Sequence, residues 1–84
     1  MKQAYLTFRS VTFAQRAERI LKKAGLDCTM QRTPKELSGR GCGYCLRIAL
    51  GSALEAVGLL EAEKVDYGKL YAVRAEGGYE ELFV

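Results

Sequence analysis

With 84 residues, 49% of them hydrophobic and a single proline, the chain has the size and composition of one folded domain, which excludes low-complexity disorder and a multidomain layout. No apolar run reaches the ~20 residues of a membrane helix, and the opening Met1-Lys2-Gln3-Ala4-Tyr5 lacks the apolar core of a signal peptide, so a cytoplasmic protein with no membrane partner is expected. The net charge of +3 is uneven: residues 1–47 carry ten Lys/Arg against three Asp/Glu, and residues 48–84 carry three against seven, a gradient that steers anions toward the first half.

Ala4 to Arg9 reads as a strand, rich in β-formers and nearly continuous in its apolar character. Ser10 to Ala24 reads as a helix, with Ala14, Ala17, Ile20, Leu21 and Ala24 as the apolar stripe and Gly25 as the stop. Leu26 to Arg32 is a second strand, placing Cys28 and Met30 on one face and Asp27, Thr29 and Gln31 on the other. Thr33-Pro34 ends it, and Pro34 to Tyr44, with Gly39, Gly41 and Gly43 in alternation, reads as a loop.

Cys45 to Leu50 is a third strand. Ser52 and Glu55 have the spacing of a capping box for a helix over Ala53 to Ala62, in which Ala53, Val57 and Leu60 form a stripe flanked by Leu54, Ala56 and Leu59. Gly58 in its middle suggests close packing against a sheet. Val65 to Val73 reads as a fourth strand with an irregularity at Gly68, and residues 75–84 as a loosely packed tail or an edge element of the same single domain, 1–84. The order β-α-β-β-α-β predicts an α+β, ferredoxin-like fold: a four-stranded antiparallel sheet, two helices on one face, and an open second face of the kind that serves a ligand or a homodimer.

Three cysteines, two of them in Gly41-Cys42-Gly43-Tyr44-Cys45, point to thiol or metal chemistry rather than to a disulfide scaffold. The glycines around Cys42 free backbone N–H groups to form a nest for a thiolate, and Arg40 and Arg47 add positive charge. Cys42 is therefore the expected reactive thiol and Cys45 the resolving one. Cys28, in an apolar-period strand, is expected to be packing material. The residues after Cys45 read as a strand, so the helix dipole that assists thioredoxin-type motifs is not expected.

The alternative is a binding or assembly module with structural zinc on Cys42 and Cys45, completed by Cys28 or across a homodimer, because a closed site needs four ligands and the chain has no histidine. The missing histidine also disfavours acid–base and hydrolytic chemistry. Nucleic-acid binding is disfavoured too. Tyr5, Phe8, Tyr44, Tyr67 and Tyr71 accompany a basic first half, but the Lys/Arg-Gly-Phe core of an RNA-binding strand is absent.

Over residues 3–73 the chain resembles the selenium/sulfur carrier-like family of small bacterial proteins. The resemblance rests on Tyr5-Leu6-Thr7-Phe8-Arg9-Ser10, on Leu21-Lys22-Lys23-Ala24-Gly25, on Arg32-Thr33-Pro34-Lys35-Glu36-Leu37-Ser38, and on Cys42-Gly43 leading to Leu46-Arg47. It implies a carrier role in which Cys42 is the family cysteine, Gly43 its glycine, and Pro34 and Leu37 belong to the preceding loop. It further implies a sulfur or selenium donor or acceptor protein as partner, and no cofactor. Cys45 and the additional glycines depart from the family pattern.

Overall fold

The computed structural model describes residues 3–38 and 43–82, Ser38 in its backbone only. The sheet has five antiparallel strands, β1 (Gln3–Phe8), β2 (Cys28–Arg32), β3 (Tyr44–Ala49), β4 (Leu70–Val73) and β5 (Tyr79–Leu82), in the spatial order β2-β3-β1-β4-β5. Two longer helices, α1 (Val11–Lys23) and α3 (Ala53–Ala62), accompany it, and a one-turn helix α2 (Lys35–Ser38) follows β2. The expected α+β class and antiparallel sheet are present. The four-stranded β-α-β-β-α-β order is corrected by the added one-turn helix and by β5.

Alternation sorts the sheet into two faces. In β1, Ala4, Leu6 and Phe8 are buried while Gln3, Tyr5 and Thr7 point the other way. Register carries that parity across: Leu6 pairs with Leu46 and Leu70, and Leu46 with Met30. The core joins this face to Ala14, Ala17 and Leu21 of α1 and Ala53, Ala56, Val57 and Leu60 of α3, so both helices cover one side. The opposite face carries Tyr5, Thr7, Thr29, Gln31, Cys45, Arg47, Tyr71, Val73, Tyr79 and Glu81.

Local chemistry sets the boundaries. The Ser10 hydroxyl accepts from Phe13 N–H at 3.3 Å and caps α1, and Gly25 (φ 87°) ends it. Ser52 makes no such bond at α3, because a short 3-10 turn over Leu50–Ser52 already leads the chain into the helix; the expected capping box is absent. In α3, Leu54 is 72% exposed, and Gly58 faces open space rather than a sheet.

The fourth strand is shorter than expected. Val65 N–H donates to Leu60 O at 2.9 Å, so this residue closes the end of α3 instead of starting a strand. Gly68 and Lys69 then lock onto Thr7: Gly68 N–H donates to Thr7 O at 2.7 Å, Lys69 N–H to Thr7 Oγ1 at 2.9 Å, and Thr7 N–H to Lys69 O at 3.0 Å. Beyond β4, Gly77 (φ 99°) and Gly78 (φ 85°) take left-handed conformations in the turn that returns the chain as edge strand β5.

Candidate functional site at the β2–β3 hairpin

The predicted cysteine turn is the connection between β2 and β3. Its neck is fixed where Arg32 pairs with Tyr44 and Thr33 N–H donates to Gly43 O at 3.0 Å. Pro34 O accepts from Leu37 N–H at 2.9 Å, which places Pro34 and Leu37, both half-buried, in one turn at the entry to α2. Space is tight at Gly43. A Cβ there would stand 3.2 Å from Thr33 Oγ1 and 3.4 Å from Phe8 O. Arg40, Gly41 and Cys42 lie outside the described residues.

Cys45 is in β3, as the sequence predicts, and its surroundings are unusual. It belongs to the face turned away from the helices, flanked in register by Thr7 and Gln31, yet it is fully buried, unlike its described neighbours on that face. Its thiol makes a long contact, 3.9 Å, to Arg32 O. Burial pushes the Cys45 thiol up from its ordinary pKa, while the adjacent Thr33 hydroxyl pulls it down. Thr33 Oγ1 is buried and has no hydrogen-bond partner among the described residues.

Tyr79 of β5 lies on the same open face of the sheet. Its ring packs against Tyr5 with centroids 5.7 Å apart. Its phenol is pushed up by partial burial and then by the proximity of Tyr5, Glu36 and Cys45. β5 itself lies at the far edge of the sheet, separated from β3 by β1 and β4. Arg47 sits on the same face, about 7 Å further along β3 than Cys45.

Thr33 and Tyr79 were not legible as site residues. Before Pro34, Thr33 signals only extended backbone, and Tyr79 signals only a β-former after a Gly-Gly turn.

Cys28 is buried on the helix-covered face, with its sulfur 3.9 Å from Glu18 O. Burial, then Glu18, push its thiol up, which suits packing material. Because Cys28 and Cys45 occupy opposite faces of the sheet, one zinc ion within a single chain cannot take both. Among the described residues no group of three or more His, Cys, Asp or Glu is placed to hold a metal. Phe8 is in the core, and Tyr44 and Tyr67 pack against it, so only Tyr5 and Tyr71 of the five aromatics weighed for RNA lie on the open face. No helix among the described residues is long and apolar enough to cross a membrane.

Residues 3–72 match the family described as "Putative Se/S carrier protein-like". The chain belongs to this family. The match to the Se/S carrier-like family takes in the whole β2–β3 hairpin with Cys42 and Cys45, and it stops before β5 and Tyr79. Comparison with curated proteins gave no match.

Proposed function

We propose that this member of the family carries a sulfur or selenium atom on Cys42, handed over by a donor protein and passed to an acceptor. The observation that carries the reading is the family match across the β2–β3 connection, whose sequence includes Cys42 and whose neck is braced by Thr33 and Gly43. In loading, the Cys42 thiolate attacks the outer sulfur of a donor persulfide. A Cys42–S–SH bond forms, the donor S–S bond breaks, and the donor leaves as a thiolate. Arg40 and the Gly41–Gly43 backbone stabilise the anion, whereas Arg47, further along β3 than Cys45, contributes to the positive charge of the face rather than to the thiolate itself.

Discharge goes to an acceptor thiolate, or to Cys45 as the resolving thiol. In the second route the Cys45 thiolate attacks Cys42 Sγ, hydrosulfide leaves, and a Cys42–Cys45 disulfide remains for an external dithiol to reduce. A buried, protonated Cys45 suits a carrier. It does not compete for the donor, and it does not discharge the cargo early.

Incubation with a small-molecule persulfide, followed by intact-mass and peptide analysis, tests this. The wild type is expected to gain one sulfur at Cys42, Cys42→Ser none, and Cys45→Ser to load normally and hold the sulfur longer. Equal loading of Cys42→Ser contradicts the proposal.

A further inference from the structure

Thr33 is held by its main chain at the hairpin neck, with N–H to Gly43 O at 3.0 Å. Its hydroxyl oxygen is buried with no hydrogen-bond partner among the described residues, a costly state that folded proteins avoid. The missing Cβ of Gly43 leaves room for it; a methyl group there would press on that oxygen from 3.2 Å. With Gln31 opposite Cys45 and Thr33 opposite Gly43, Thr33 lies diagonally across the neck on the same face as the Cys45 thiol, itself fully buried.

A thiol is a poor acceptor and a thiolate a strong one, so the hydroxyl is idle while Cys45 is protonated and engaged once the proton leaves. We propose that Thr33 is a positioning residue for Cys45, its hydroxyl kept free as the hydrogen-bond donor to the thiolate that resolves the Cys42 adduct. This rests on the carrier reading above, in which Cys45 discharges Cys42.

The other groups facing Cys45 do not replace it. Tyr79 on β5 is neutral near pH 7, and its phenol is turned further toward the neutral form, in part by Glu36 of α2. Arg32 offers a carbonyl from β2, which repels a thiolate. Thr7 on β1 bonds to Lys69, and Gln31 on β2 is uncharged. Arg47 is one pleat repeat away.

Replacing Thr33 by valine keeps the shape and removes the idle donor. In the full chain carrying Cys42→Ser, iodoacetamide labelling of Cys45 is followed against pH on the peptide spanning 41–47. With Thr33→Val the labelling midpoint is expected to rise by about one pH unit, and labelling at neutral pH to slow about tenfold. Thr33→Ser is expected to restore both, and the denaturation midpoint of Thr33→Val to equal or exceed that of the parent.

An unchanged Cys45 midpoint overturns the proposal. So does faster labelling, which would mark Thr33 as mere cover, and so does loss of folding in Thr33→Val, because an idle donor cannot be needed for stability. Loading of Cys42 in the otherwise wild-type chain is read separately, so failure of the carrier reading is distinguishable from failure of this one.

Discussion

Leu46→Ala is expected to lower the unfolding free energy by about 3–4 kcal/mol, through lost burial and the cavity left behind. Leu46 is fully buried in β3, which lies between β1 and β2, and it pairs with Leu6 on one side and Met30 on the other. Its side chain belongs to the layer that joins the sheet to both long helices, so no neighbour can swing in from solvent to fill the gap. A domain of 84 residues has only about 4–13 kcal/mol in total, so the loss removes a large part of it. Urea titration should show the midpoint fall at constant slope. Leu54→Ala is the internal comparison. At 72% exposure it should change stability by no more than about 0.5 kcal/mol. Similar losses for the two leucines would contradict the described core.

Gly68→Ala is expected to cost about 2 kcal/mol, although the glycine is exposed and its new methyl would remove no core contact. A Cβ at position 68 would stand 2.5 Å from Thr7 Oγ1 and 3.3 Å from Thr7 O. The same hydroxyl accepts from Lys69 N–H at 2.9 Å, and the same carbonyl accepts from Gly68 N–H at 2.7 Å. Relieving the clash therefore disrupts the bonds that bring β4 into register beside β1. Thr7→Ala removes the first obstacle, so the double variant should be less destabilised than the sum of the singles. Full additivity would show that the two residues do not meet.

The sequence is most legible where one periodicity dominates. Ala14, Ala17 and Leu21 mark the buried stripe of α1 directly, and Cys28 with Met30 marks the core side of β2. Legibility fails where two elements compete for one residue. Val65 and Tyr67 have the spacing of a strand, but Val65 closes the end of α3 and the chain turns at Gly68 to bind Thr7. Leu54 has the character of a core residue, yet it lies on the outer side of α3 while the neighbouring Ala53, Ala56 and Val57 fill the interior.

At the candidate site the position of Cys45 on a strand was legible and its burial was not. Alternation assigns it to the open face, where exposure is the expectation. Its cover includes Thr33, set diagonally across the hairpin neck twelve residues earlier in the chain. Pairing across a hairpin leaves no local pattern. It bears on function all the same, because it separates the two cysteines of the turn into a buried thiol and a partner three residues earlier whose reactivity is set by its own surroundings.

The most direct measurement is the alkylation rate of Cys42 against pH in the wild-type chain, read on the peptide that carries it and compared with Cys45 on the same molecule. A Cys42 midpoint well below the ordinary thiol value of about 8.5, with Cys45 titrating above it, is the expected result. A Cys42 that titrates at or above that value would contradict a thiolate carrier at this position.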